Sequence, residues 1–195
     1  MTLVLFDFDG TITTKDSLID FVKFAVGKPK FYIGLFLLFP ILLGYKLKII
    51  PNFMAKEKFT IYFFNKWDSL HFQEIADKYS EAKINEIIRP KAIEKIKWHI
   101  EQGHEVVIVS ASMESWLKRW CQKMKIALIG TQLEIRESRL TGKFATKNCY
   151  GKEKVNRIKE RFNLSEYIDI YAYGDSLGDK EMLRIANKPH YKFFH

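Results

Sequence analysis

The chain opens on Leu3-Val4-Leu5-Phe6-Asp7-Phe8-Asp9-Gly10-Thr11, and this stretch limits the possible folds more than any other. Four consecutive apolar residues predict a short strand buried on both faces, of the kind found inside a parallel sheet. Two carboxylates and a Gly-Thr turn follow at once, so Asp7 and Asp9 stand at the mouth of that strand. A carboxylate there needs pairing or a metal to offset its burial. Taken locally, aspartates that cap a strand-end turn explain the pattern equally well. The remainder of the chain decides between the two.

Two further apolar runs end in polar signatures. Val106-Val107-Ile108-Val109 leads into Ser110-Ala111-Ser112, and Tyr167 to Tyr173 leads into Gly174-Asp175-Ser176-Leu177-Gly178-Asp179. Helical patterns run from Pro90 to Gly103, from near Met113, from Gly151-Lys152 through Phe162, and from Lys180 to Ala186, where Pro189 is expected to stop the chain. Ile126 to Ile129 and Leu133 to Ile135 read as short strands, and Leu140-Thr141-Gly142-Lys143 as a turn. Alternating strands and helices predict an α/β fold with a parallel sheet covered on both faces. In such sheets ligands bind beyond the C-terminal strand ends, where Asp7, Asp9, Ser110, Asp175 and Asp179 all fall.

Between the first strand and Pro90 the pattern is helical throughout. Asp16 or Ser17 is expected to cap a helix running to about Val26, which Gly27-Lys28-Pro29 ends; further helices are expected at Met54–Asn65 and Asp68–Ile88. Residues 14–89 therefore read as a helical cap inserted into a core formed by 1–13 and 90–195. Within the cap, Phe31 to Tyr45 is fifteen residues without a charge, interrupted by Pro40 and bracketed by Lys30 and Lys46. A bilayer span needs roughly 20 such residues. Three readings stand: a hairpin buried in the cap, a kinked pair lying in a membrane interface, or a span.

The formal charge of +9 narrows the partners to anionic ones. Seven lysines and one glutamate lie between Lys23 and Lys58, a net +6. They interleave with Phe and Leu, unlike a solvated nucleic-acid groove, and nucleic acid is not expected as a partner. Cys121 and Cys149 form neither a metal spacing nor a disulfide framework, which fits a reducing compartment. Met1-Thr2 gives no basic n-region of a secretory signal, so a cytoplasmic location is expected, on the membrane's inner face if the apolar cap segment docks. The five histidines include no pair at metal-ligand spacing, and Gly151-Lys152 lacks the glycines of a nucleotide-phosphate loop.

The order Asp7-Phe8-Asp9-Gly10-Thr11, Ser110 after a hydrophobic strand, Lys154 within Gly151-Lys152-Glu153-Lys154, and Gly174-Asp175-Ser176 with Asp179 resembles the four motifs of the haloacid dehalogenase superfamily. Within it, the helical cap after the first motif resembles the phosphoserine-phosphatase-like branch. The resemblance spans residues 3 to about 183. It implies a three-layer, Rossmann-like core and a Mg²⁺-dependent phosphomonoesterase that works through an aspartyl-phosphate. Asp7 would be the nucleophile and Asp9 the acid and base. Thr11, Ser110, Ala111 and Lys154 would hold the phosphate, and Asp7, the Asp9 carbonyl and Asp175 would hold the metal. Asp179 would act through water or pair with Lys154.

The sequence departs from phosphoserine phosphatases in the cap. Asp16 stands where that branch places a glutamate, no arginine occurs from Thr14 to Ile88, and Gly178 replaces the usual asparagine. Lys56 or Lys58 would have to receive a substrate carboxylate without arginine's bidentate fork. The apolar, lysine-rich cap is instead similar to the branch containing a phosphatidylglycerophosphate phosphatase. That implies a lipid head group as substrate and contact with an anionic membrane. A small-metabolite phosphatase, a phosphotransferase and a non-enzymatic basic adaptor are the alternatives, and oligomeric state is open.

Overall fold

The computed structural model describes residues 1–195. Strand β1 (Thr2–Phe6) is followed by six helices, α1 (Ser17–Val26), α2 (Lys28–Leu37), α3 (Phe39–Lys46), α4 (Asn52–Phe64), α5 (Ser69–Ala82) and the short α6 (Ile84–Ile87). Then come α7 (Pro90–Glu101), β2 (Glu105–Met113), α8 (Glu114–Met124), β3 (Ala127–Thr131), β4 (Leu133–Arg136) and β5 (Arg139–Phe144). The chain closes with α9 (Lys152–Arg161), β6 (Asp169–Gly174), α10 (Lys180–Arg184) and β7 (Lys188–Tyr191).

Five strands form one parallel sheet in the order β3-β2-β1-β6-β7. The opening strand takes the central place because its side chains feed both faces. Val4 and Phe6 enter the larger apolar core with Trp116 and Tyr173, whereas Leu3 and Leu5 enter a smaller one with Val107, Val109 and Ile158. A strand with one solvated face could not be apolar at every position. Helices cover both faces, and the six-helix insertion stands at the C-terminal end of the sheet.

The insertion leaves and re-enters the core at one point. Thr13 bridges Ile88, the Thr14 amide donates to the Ile87 carbonyl at 2.8 Å, and the Arg89 amide donates to the Ile12 carbonyl at 2.8 Å. Its interior is aromatic: Phe21 stacks on Trp116 of the core and meets Phe64, Phe72 and Tyr79 edge-on or tilted. Asp16 caps α1 by accepting from the Leu18 and Ile19 amides, and Gly27, at φ +80°, ends it.

Four local expectations are corrected. Leu140–Lys143 is strand, not turn. The turn falls at Glu137-Ser138, both left-handed, which joins β4 and β5 in a two-residue hairpin. Gly142 serves close approach instead: a Cβ there would lie 2.4 Å from the Ile61 Cα of α4, and the Gly142 carbonyl accepts from the Thr60 hydroxyl at 2.6 Å. Pro189 is not a helix stop but part of β7, an edge strand that pairs only with β6 and spares the missing N–H. Asp68–Ile88 breaks at Lys83 into α5 and α6, and β2 runs past Ser110 to Met113 with a register shift beyond Val109.

The apolar segment forms α2 and α3, broken at Leu38 and bent by 64°. No single helix is long and apolar enough to cross a membrane; only the bent pair taken together reaches that composition. Nor is the hairpin buried. Phe31, Gly34 and Leu38 face inward, but α3 has no buried residue, and Phe36 is 80% and Phe39 59% exposed.

Candidate active site

The turn after β1 brings Asp7 and Asp9 to the C-terminal edge of the sheet, beside the ends of β2 and β6. Asp7 is held in line by its amide, which donates to the Tyr173 carbonyl at 2.9 Å. Lys154, on the first turn of α9, points inward and is 1% exposed. Its ammonium donates to Asp7 Oδ1 at 2.6 Å, to Asp179 Oδ1 at 2.6 Å and to the Val109 carbonyl at 2.7 Å. Burial alone would push that ammonium toward neutrality. The Asp7 and Asp179 carboxylates outweigh it and hold the charge above the ordinary lysine range.

Asp179 is saturated. Besides Lys154 it accepts, through Oδ2, from the Ser176 amide at 3.0 Å, the Asp175 amide at 3.2 Å and the Ser176 hydroxyl at 2.7 Å. Against its burial these partners keep it below the usual carboxylate range. Its task is therefore to shape the Asp175 loop and pair with Lys154. Gly174 permits this, since a Cβ there would sit 2.4 Å from the Asp179 Cβ.

Asp7, Asp175 and Asp179 each offer a carboxylate oxygen within 4.8 Å of the others. The Thr11 hydroxyl lies 2.9 Å from Asp7 Oδ2 and 3.2 Å from Asp175 Oδ1, so it ties these two together and does not face outward. Burial pushes the Asp7 carboxyl up to about 7, with Lys154 pulling against it and Asp179 adding to it. One lysine thus does not neutralise the cluster. An all-oxygen donor set carrying surplus negative charge could hold a hard divalent cation, and with Asp179 engaged elsewhere Asp7 and Asp175 are the carboxylates best able to turn an oxygen to it. Gly10, at φ +84°, keeps this space open: a Cβ there would lie 2.4 Å from Asp175 Oδ2.

Asp9 sits apart from Lys154. Its Oδ1 accepts from the Ser17 amide at 2.7 Å, and its Oδ2 accepts from the Ser112 hydroxyl. Ser17 in turn lies 3.1 Å from Ser112 and accepts from the Trp116 indole at 3.2 Å, which fixes the group from three elements. Burial, reinforced by the Asp16 carboxylate, pushes Asp9 upward; the Ser112 and Ser17 hydrogen bonds and the Lys56 charge oppose it. Such surroundings favour the protonated form more than water does.

Ser110 is buried, and its hydroxyl oxygen accepts from the Ser112 amide at 3.0 Å. The Ala111 carbonyl accepts from the Thr131 hydroxyl at 3.1 Å and from Lys56 Nζ at 3.4 Å. Lys56 therefore reaches the site. Lys58, two residues on, is exposed on the far side of the same helix, as a turn of about 200° requires. Ser17 and Ser112 are the site residues that the sequence reading missed. Ser112 had a signal, because residues two apart on a strand share a face with Ser110. Ser17 had none beyond its candidacy as a cap.

With this geometry in view, the comparisons with known proteins decide the family. A profile of haloacid dehalogenase-like hydrolases matches residues 4–184. The chain belongs to the haloacid dehalogenase-like hydrolases. It is 33% identical over 201 residues to Protein CicA of Caulobacter vibrioides, covering 98% of this chain and 86% of that one. Its fold is similar to a protein of unknown function from Bordetella pertussis Tohama I, with a TM-score of 0.83, 19% identity and coverage of 97% and 88%. It is also similar to a substrate-bound phosphoserine phosphatase, with a TM-score of 0.61, 19% identity and coverage of 94% and 82%. The parallel sheet with its inserted helical cap is thus a fold shared with these two proteins.

Proposed function

We propose that the chain is a Mg²⁺-dependent phosphomonoesterase that acts through an aspartyl-phosphate on Asp7, and that its substrate is a phosphorylated lipid head group. The observation that carries the chemistry is Lys154, fully buried and 2.6 Å from both Asp7 and Asp179. A buried cation paired to two carboxylates of an acidic cluster holds both in one arrangement, since breaking either pair would leave a buried charge unpaired. Asp7 and Asp175 would hold the Mg²⁺, whose charge would let a carboxylate approach a phosphate.

In the first step an oxygen of Asp7 bonds to phosphorus and the bond to the alcohol oxygen breaks, while Asp9 gives that oxygen its proton. In the second, Asp9 takes a proton from water, whose oxygen bonds to phosphorus as the acyl-phosphate bond breaks and Asp7 is restored. Ser112 and Ser17 hold Asp9 in one orientation for both. Ser110 and the backbone after it hold the phosphate oxygens, and Lys154 steadies the charge that builds on them.

The lipid reading rests on the helical insertion. Phe36, Phe39, Leu43, Leu47 and Ile49 are exposed on and after the bent α2–α3 pair, among Lys28, Lys30, Lys46 and Lys48. Exposed apolar side chains interspersed with exposed lysines along one segment suit an anionic bilayer interface, each lysine adding roughly 1 kcal/mol of attraction. With α2–α3 in the interface, the site would open toward head groups. Phosphatidylglycerophosphate is the reference substrate, and phosphoserine the soluble competitor.

The test is phosphate release with and without Mg²⁺ from phosphoserine, sugar phosphates and short-chain phosphatidylglycerophosphate, together with flotation on anionic vesicles. Mg²⁺-dependent release selective for the lipid, with flotation lost in Phe36→Glu/Phe39→Glu, is expected. Selectivity for phosphoserine by a protein that does not float would refute the lipid reading alone. Absence of release from every substrate would refute the phosphatase.

A further inference from the structure

A cavity of about 130 Å³ is lined by Asp16, Leu42, Tyr45, Asn52, Lys56 and Phe59, among others; Lys56, which reaches the Ala111 carbonyl, and Asp16, next to the Ser17 whose amide donates to Asp9, tie it to the Asp9 side of the site. That is well above the ~10–15 Å³ a single water needs, enough to take part of a small alcohol. Its polar groups are unevenly satisfied. Tyr45 Oη accepts from Asn52 Nδ2 at 3.1 Å, which leaves the tyrosine O–H free to donate. The Asn52 amide keeps a second N–H, because its other contact is through Oδ1, which accepts from Asn148 Nδ2 at 3.1 Å. Lys56 makes one long bond, 3.4 Å to the Ala111 carbonyl, and has donors to spare. Asp16 uses Oδ1 to accept from the Leu18 and Ile19 amides, so a single carboxylate oxygen is left as acceptor.

Three donors therefore face one acceptor, among apolar walls. We propose that Tyr45, Asn52 and Lys56 read the leaving group, and that they select an alcohol carrying further hydroxyl or anionic oxygens over one carrying an ammonium. This rests on the phosphatase reading only in taking the Asp9 side as the leaving-group side. Tyr45 is not loosely held: Asn52 joins it to Asn148, whose Oδ1 accepts from the buried Thr131 hydroxyl at 3.3 Å, and Thr131 lies 3.1 Å from the Ala111 carbonyl. The donor set is thus fastened to the core on which the phosphate would rest. The same helix that contributes Leu42 and Tyr45 to the cavity exposes Phe39 and Leu43 to solvent. A substrate with a hydroxylated head and an apolar tail meets both faces of α3.

The experiment measures binding, so it does not depend on turnover. Mg²⁺-loaded Asp7→Asn protein is titrated by calorimetry with glycerol 3-phosphate, butyl phosphate and phosphoserine, alone and combined with Tyr45→Phe. Glycerol 3-phosphate is expected to bind more tightly than the other two. Tyr45→Phe should weaken it about three- to tenfold, the worth of one hydrogen bond, and leave butyl phosphate within twofold. Equal loss for both probes, tighter binding of phosphoserine, or no binding at all would overturn the assignment. Binding with the expected preference, beside a wild-type protein that releases no phosphate, would overturn the phosphatase reading and leave the pocket standing.

Discussion

Replacing Lys154 with methionine isolates the centre of the site from its surroundings. The side chain is nearly the same length, so packing in the 1%-exposed position is kept while the charge goes. Three acceptors then lose their donor: Asp7 Oδ1, Asp179 Oδ1 and the Val109 carbonyl, at 2.6, 2.6 and 2.7 Å. Asp179 retains Ser176, and Asp7 retains only Thr11. Removing one partner of a buried ion pair costs about 3–5 kcal/mol. At roughly 2–4 °C per kcal/mol for a chain of this size, Tm should fall by about 10 °C at pH 8 without metal. The loss should shrink toward pH 5, because the unpaired carboxylates take up protons and cease to be buried charges. Adding Asp7→Asn should recover part of it, on the order of 1 kcal/mol or more, since the two residues touch. Thermal and urea melts of the wild type, both single variants and the double variant at the two pH values check this. A Tm unchanged at pH 8, or a loss that grows toward pH 5, would refute the account of Lys154 as the cation that orders Asp7.

Ser112→Ala should lower kcat by about tenfold or more with KM little changed, since the hydroxyl orients Asp9 and does not reach the phosphate; steady-state kinetics decide it, and Ser112→Thr should restore part of the rate. His99 tests the sheet's other side: it is fully buried, 2.8 Å from His104 and 3.0 Å from the Tyr173 hydroxyl, and burial drives its pKa from 6.5 to about 3. Between those values the unfolded chain binds the extra proton at this site, so the His99 contribution to stability should be level above about pH 6.5 and fall with acidification by up to about 1.4 kcal/mol per pH unit, against the opposite slope from Asp7. Urea melts at pH 7.5, 5.5 and 4.5 should show His99→Gln gaining stability relative to the wild type as the pH falls.

How much of this was legible in the chain follows from how local each signal is. The central strand, the cap of α1 at Asp16 and the stop at Gly27 are written in neighbouring residues, and they stand where expected. Lys154 was legible only through its place in a motif, because nothing in Gly151-Lys152-Glu153-Lys154 distinguishes an inward lysine from a solvated one. Gly142 misled for a physical reason: a glycine that admits a neighbouring helix looks in sequence like one that makes a turn. Pro189 misled likewise, since a proline tolerated at a sheet edge resembles a helix stop. In the Tyr45–Asn52–Asn148 chain the Asn52–Asn148 bond joins residues 96 apart, which has no local signature at all. Exposure of α3 was equally hidden, since an apolar run reads the same whether packed inside or turned to a membrane.

The central claim is that Asp7 itself carries the phosphoryl group, and the most direct measurement is an acid-quenched single turnover with Mg²⁺, followed by mass spectrometry of the peptide containing residues 1–15. The account predicts a phosphorylated Asp7 that rises and decays with substrate consumption and is absent from Asp7→Asn, which releases no phosphate. Phosphate release by Asp7→Asn at the wild-type rate, or full turnover by the wild type with no adduct on that peptide, would contradict it.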